Sequence, residues 1–141
     1  MTAFDRMLLA EKVAAVERHL SRVESRLPGE PAQFTPGTDS SDAVILHLWQ
    51  AVQIVIDLAL AACIHFKLGT PASYAEAFRL LADDGKLEKE LAERLVLAAG
   101  FRNAVAHAYE RLDMERVYRA ARNGPADLRA FLGALAGKVR S

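Results

Sequence analysis

The sequence holds one cysteine, Cys63, in 141 residues. A lone thiol can close no internal disulfide and build no cysteine metal cluster, so the chain is expected in a reducing cytoplasm and not as a secreted scaffold or structural zinc module. Net charge is also lacking. Eighteen basic side chains balance eighteen acidic ones, which excludes a protein held on nucleic acid by bulk charge and leaves room only for a local basic face. Strand formers are scarce: Val, Ile and Thr together number 18, against 26 Ala and 19 Leu, a balance that favours helix throughout and predicts no strand. Three of the five prolines fall in PGEPAQFTPGTD, Pro28 to Asp39, so that stretch can only be a loop. Met1 to Ala10 carries Asp5 and Arg6 and lacks a basic-then-apolar layout, so no export signal is expected.

The one long apolar run, Ala43 to Ile64, is about the 20 residues a membrane span needs. His47, Gln50, Gln53 and Asp57 interrupt it, and their 3, 3, 4 spacing gathers them on one helical face. An ionised Asp near mid-span would cost about 2.5–3.5 kcal/mol. The run therefore predicts a buried helix with a polar stripe and no membrane association.

What is present is helical periodicity. Leu9, Val13, Val16, Leu20, Val23 and Leu27 form a seam along a first helix ended by Pro28 and Gly29. Asp39, Ser40 or Ser41 is the expected cap of a second helix running to Gly69. Ser73 and Glu76 read as a capping box opening a short third helix that ends at Asp83-Asp84-Gly85. A fourth, from about Leu87, carries Leu91, Leu95, Ala98 and Val105 on one face. Asp113 is the expected cap of a last segment containing Val117 and Tyr118, broken at Asn123-Gly124-Pro125 and resuming through Leu128, Phe131, Leu132 and Leu135. A chain of this length buries roughly 70% of its unfolded surface. The expectation is one domain, residues 1–141: an all-α, four-helix up-down bundle with short additional C-terminal helices.

Charge is uneven along this plan. Residues 102–141 carry eight basic and four acidic side chains, either an ordinary solvated face or a sign that Arg111, Arg116, Arg119 and Arg122 lie near an anionic ligand. Arg102, Asn103, His107 and Tyr109 form the densest group of chemically able side chains. On a helix Asn103 and His107 are about 40° apart and Arg102 and Tyr109 about 20° apart, making two adjacent polar stripes. An imidazole can take or give a proton near neutral pH, and a guanidinium can grip a phosphate with its fork. Together they suit metal-free RNA cleavage, in which a base removes the ribose 2′-OH proton, the oxygen attacks the adjacent phosphate and positive charge stabilises the transition state. The product would carry a 2′,3′-cyclic phosphate. With 13 arginines and four histidines, an Arg-x4-His pair arises by chance in roughly 0.4 of such sequences. Spacing alone therefore leaves open an Arg paired with an acid and a His packed at a helix end. His19, His47 and His65 show no metal-ligand spacing and read as isolated helix-face or core residues. Asp57 is either a functional carboxylate or a partner for Arg or other polar groups across an interface. Trp49 reads as core or dimer contact.

The segment FRNAVAHAYERLD, Phe101 to Asp113, resembles the signature of the HepT-like branch of the HEPN superfamily, in which Arg-Asn-x-x-x-His-x-Tyr closes a long helix. The stretch from Asp42 to Gly85 resembles the family's long second helix and the following Pro-x-Ser-Tyr segment. Val117-Tyr118 and Leu128-Arg-Ala-Phe-Leu resemble its C-terminus, so the resemblance runs from about Asp42 to Leu132. The first 41 residues match only as helix plus loop. The resemblance implies a HEPN-like bundle and a homodimeric, metal-independent endoribonuclease without cofactor. It further implies the toxin of a type VII-like toxin-antitoxin pair whose partner is an MNT-type nucleotidyltransferase. Arg102 and His107 would be catalytic, Asn103 a polar support, and Tyr109 the residue to which AMP is attached, blocking the phosphate site by charge and bulk. The alternative implied by the same resemblance is a non-catalytic HEPN subunit that binds a nucleotide or a nucleotidyltransferase partner.

Overall fold

The computed structural model describes residues 6–140, without the side chains of Ala108, Val139 and Arg140. Met1 to Asp5, half of the segment behind the export expectation, lie outside the described residues. Five α-helices follow one another: α1 (Arg6–Arg26), α2 (Asp39–His65), α3 (Tyr74–Asp83), α4 (Lys89–Ala108) and α5 (Met114–Arg140), with 3-10 turns at Pro31–Gln33 and Tyr109–Arg111. Among the described residues there is no strand.

The apolar run becomes the centre of the bundle. α2 is long and apolar enough to cross a membrane, yet half of that window is buried inside the molecule, because α2 packs against each of the other four helices. Val44, Leu48, Ala51, Val55, Ala59 and Ala62 are sealed from solvent along one stripe, and Ile45, Val52, Ile56, Leu58 and Cys63 extend the buried surface to either side of it. Its most extensive pairing is with α1, whose seam buries Leu9, Val16, Leu20 and Val23, with Val13 and Leu27 packed alongside. Cys63 is fully buried and donates its thiol proton to the Ala77 carbonyl of α3 at 3.4 Å.

The helix ends follow local hydrogen-bond chemistry. α2 is capped one residue earlier than expected, by Thr38: its hydroxyl accepts from Ser41 N–H at 3.0 Å, and Ser41 Oγ accepts from Thr38 N–H at 3.1 Å. This reciprocal box leaves Asp39 and Asp42 in the first turn, where carboxylates complement the positive end of the helix dipole. α2 also stops short of Gly69. Leu68 N–H reaches back to Cys63 O at 2.8 Å and Lys67 N–H to Ile64 O at 3.1 Å, a Schellman closure whose left-handed position is Lys67, φ 61°. α3 opens on Ser73, whose Oγ accepts from Glu76 N–H at 3.1 Å, while Glu76 reaches back to Ala72 N–H instead of Ser73. It closes by the same device with Gly85, φ 78°, in the left-handed position.

The expected break at Asn123-Gly124-Pro125 is absent: α5 runs unbroken for 27 residues, so the short C-terminal helices are a single long one. Proline removes one backbone donor, but Val117, Ala121, Leu128, Phe131 and Leu135 are all buried on the bundle side of α5. Their 4, 7, 3, 4 spacing passes through buried Gly124 without changing phase. Asp113 caps α5 as expected, its Oδ1 accepting from Glu115 N–H at 3.0 Å. The Pro28–Asp39 loop is pinned to this helix: Phe34 is buried against the Tyr118 ring at 5.8 Å between centroids, and the Tyr118 hydroxyl donates to Pro28 O at 2.8 Å.

Candidate active site

The last two turns of α4 face α2 and the start of α3. Arg102, half-buried, donates from Nε to Gln53 Oε1 at 2.8 Å and from Nη1 to Asn103 Oδ1 at 3.1 Å. Gln53 in turn donates from Nε2 to Asp57 Oδ1 at 3.0 Å, which fixes which end of its amide faces the arginine. Asn103 donates from Nδ2 to the Tyr74 hydroxyl at 3.0 Å. Asp57, Gln53, Arg102, Asn103 and Tyr74 thus form one hydrogen-bonded chain across three helices. Its centre is a guanidinium held by neutral amides, with no carboxylate salt bridge among the described residues. Its charge is left free for an incoming anion.

All of these but Asn103 border a cleft of about 270 Å³, walled by Gln53, Asp57 and Leu60 of α2, by Pro71 to Tyr74, and by Arg102. Gln53 and Tyr74 are site residues that the sequence reading did not single out as such, while Asp57 carried both a functional and a pairing reading. The signal was there for two of them, since Gln53 and Asp57 belong to the polar stripe that interrupts the apolar run. Tyr74 carried no signal beyond its place in the resemblance.

Not all the expected residues meet in this cleft. His107 lies exposed in the last turn of α4 and makes no side-chain hydrogen bond or ion pair to a described residue. Tyr109, 47% exposed, begins the following 3-10 turn and donates its hydroxyl proton to Asp42 Oδ1 at 2.8 Å. That hydrogen bond, with partial burial and the Asp42 charge, pushes the phenol above its ordinary range. Asp42 and Gln53 are eleven residues apart on α2, roughly 16 Å along its axis, so Tyr109 is anchored well away from Arg102. Both still turn towards α2, as their shared stripe requires.

Elsewhere the structure corrects the reading of the histidines. His19 of α1 and His47 of α2 are not isolated; their Nδ1 atoms are 3.0 Å apart and their rings 5.3 Å. Asp57 takes up the second of its two expected roles, as a partner for a polar side chain, here within the chain. Trp49 is half-buried beside the core, and its indole nitrogen has no partner among the described residues. Among those residues no three His, Cys, Asp or Glu side chains gather to hold a metal.

The chain is similar to known proteins over most of its length. The mRNA nuclease HepT of Shewanella oneidensis is 27% identical over 125 residues, covering 89% of this chain and 93% of that protein. A solved structure of the tri-AMPylated Shewanella oneidensis HEPN toxin in complex with MNT antitoxin superposes with a TM-score of 0.81 at 26% identity, over 92% of this chain and 96% of that one. YutE from Bacillus subtilis, a cytosolic protein of unknown function, has a TM-score of 0.82 at 16% identity over 99% of this chain and 94% of that chain, a likeness of fold. The family model described as ribonuclease HepT-like matches residues 16–135. That match begins inside α1, well before Asp42, and it takes in the helix that bears Arg102, Asn103 and His107: the chain belongs to the HepT-like ribonuclease family.

Proposed function

We propose that this protein is a ribonuclease, the toxin of a toxin-antitoxin pair, and that it cuts RNA without a metal. The observation that carries this reading is Arg102, a guanidinium oriented by Gln53 and Asn103 and held by no carboxylate salt bridge among the described residues, at the edge of an open cleft. A buried or partnered arginine would serve the fold. An oriented, unneutralised one serves an anion. In the proposed reaction Arg102 holds the scissile phosphate. His107 removes the 2′-OH proton, the freed oxygen attacks phosphorus, and the bond to the 5′-oxygen breaks as that oxygen takes up a proton. The arginine charge stabilises the crowded phosphorane-like state. Asn103 supports the guanidinium and does not enter the chemistry.

A second copy completes the picture. Leu46 and Ile64 are exposed at 47% and 62% and share with Gln50, Gln53 and Asp57 one stripe of α2, spaced 4, 3, 4 and 7. Greasy ends flanking a polar middle suit a two-fold contact that brings two clefts together. The partner in the cell is an MNT-type nucleotidyltransferase, which attaches AMP to Tyr109. The exposed, anchored phenol supports this. An adduct there adds negative charge and a purine to the end of α4, beside His107, and competes with RNA. The site of action is the cytoplasm.

Purified protein incubated with RNA in EDTA tests the reading. Cleavage leaving 2′,3′-cyclic phosphate ends is expected for wild type and is expected to be lost in Arg102→Ala and His107→Ala, with both variants still folded. Light scattering should give twice the 15.4 kDa chain mass. Co-expression with a cognate MNT-type nucleotidyltransferase should yield adenylated wild type and unmodified, still active Tyr109→Phe by intact mass. Folded protein that binds nucleotide or partner but cuts no RNA would replace the enzyme with a binding subunit.

A further inference from the structure

A second concavity lies on the opposite side of α4, between that helix, the 3-10 turn and the start of α5, and no step of the proposed reaction uses it. Its volume is about 420 Å³, within the range of about 300–1,000 Å³ typical of ligand sites. The floor is apolar and low, formed by Gly100, Phe101 and Ala104 of α4; the rim carries Arg111, Arg116 and Arg119. These three guanidiniums are exposed and make no salt bridge among the described residues. The one acid in the lining, Asp113, has its Oδ1 occupied in capping α5. Arg79, Arg94 and Arg129 each hold a carboxylate on a neighbouring helix, whereas these three gather without one around a single apolar floor. The fourth arginine that the sequence placed with this group, Arg122, does not line the groove.

Three unneutralised, planar cations around a flat apolar floor match a ligand with phosphates at its edge and aromatic faces in its middle. An acidic peptide would satisfy the arginines but leave the floor unused. Tyr109 does not fill the groove, because its hydroxyl is tied to Asp42 of α2. Arg111 follows Tyr109 by two residues and His107 by four, so the rim of the groove continues the chain from the end of α4, and a strand reaching it from Arg102 passes round that end. We propose that this groove is an RNA subsite that holds the single strand flanking the scissile phosphate, with bases lying over Gly100 and Ala104 and phosphates on Arg111, Arg116 and Arg119. The inference rests on the RNA-cleaving reading for its substrate, and the groove contributes affinity and length preference, not chemistry.

The test uses a fluorescent single-stranded 2′-O-methyl oligoribonucleotide of about 12 residues, which cannot be cut by 2′-OH attack, and follows anisotropy with wild type, Gly100→Phe and the double variant Arg116→Glu/Arg119→Glu. An added Cβ at Gly100 meets nothing within 4 Å, so a larger side chain there starts in open space on the groove floor, and circular dichroism checks that the variant is folded. Glutamates near the start of α5 favour its dipole. Both variants should bind the probe at least about tenfold more weakly, since each stacked base or phosphate contact contributes substantially. The double variant should also lose about 1.4 from the slope of log K against log salt, about 0.7 per phosphate contact on single strands. Cleavage of a dinucleotide should be unchanged while kcat/KM on the 12-mer falls. Unaltered probe binding in both variants overturns the subsite, as does a change confined to oligomeric state. A wild-type protein that binds the probe through the groove but cuts nothing leaves the subsite standing and removes the nuclease reading. Cleavage of long and short substrates alike by the groove variants does the reverse.

Discussion

Arg102 is defined by the charge of its neighbours. Its two side-chain partners are amides, so the guanidinium is positioned without being neutralised. Gln53→Glu keeps an acceptor in place but adds a carboxylate, and is expected to raise KM for RNA roughly tenfold, about 1.4 kcal/mol of lost phosphate binding. Gln53→Leu frees the arginine instead and should lower kcat more than KM. Steady-state kinetics on one oligonucleotide separates the two outcomes, and equal effects of both variants would show that the amide does not orient the arginine. Tyr109 offers a second readout. Its phenol is held above the ordinary range chiefly by its hydrogen bond to Asp42, so this contact contributes stability at neutral pH that is lost as pH rises through the folded-state value. Asp42→Asn should shift the phenolate absorbance transition of Tyr109 to lower pH, read as a difference against Tyr109→Phe.

Two of the helix junctions carry testable strain or charge. Lys67 closes α2 from a left-handed conformation that a side chain disfavours. Lys67→Gly should therefore stabilise the protein by about 0.5–1 kcal/mol in urea unfolding, and a loss of stability would mean that the lysine side chain contributes more than its backbone costs. Across the α1–α2 contact, His19 and His47 both have imidazoles held below the ordinary range, first by burial, then by each other's proximity for His19 and by nearby arginines for both. The depressed values mean that their neutral pairing is fully present above the usual imidazole range and lost as pH falls through the folded-state values. Stability should drop as pH falls below the usual imidazole range, and the double variant His19→Gln/His47→Gln should flatten that drop. Much at this scale was legible from the sequence: the seam of α1, the presence of a long buried α2 and the Asp113 cap follow from periodicity and side-chain chemistry. The α5 break was misread because proline was weighed as a local breaker, while the apolar phase running through Gly124 was the stronger signal. The His19–His47 pairing could not be read, since 28 residues separate them and only the register of two helices decides that they meet. The Arg102 network was half legible, because periodicity placed Gln53 and Asp57 on one face but could not say that α4 would cross there.

The whole molecule is held shut by a joint between its first and last helices. Arg129 of α5 grips two glutamates of α1, reaching Glu17 at 2.8 and 3.2 Å and Glu24 at 2.8 Å from two nitrogens. The side chains are partly solvated, at 35% exposure for Arg129 and 45% and 49% for its partners, so screening limits their worth. Arg129→Leu should cost about 1 kcal/mol at low salt and less at about 1 M salt. The hydrogen bond from Arg129 also lowers the Glu24 carboxyl, so this contribution is present above the ordinary carboxylate range and fades as the medium is acidified through the lowered value. A chemical denaturation series in salt and pH checks both, and a salt-independent loss would assign the arginine a packing role.

The Tyr118–Pro28 hydrogen bond spans 90 residues and the Arg129–Glu17 pair spans 112. During synthesis the α1–α2 hairpin is made early, but the helix that locks α1 and its loop in place is made after the other four. All five helices must therefore leave the ribosome before the bundle can close. The nascent chain carries the Arg102 segment outside a finished fold until α5 arrives, so the time at which the bundle closes is set by translation of the C-terminal helix.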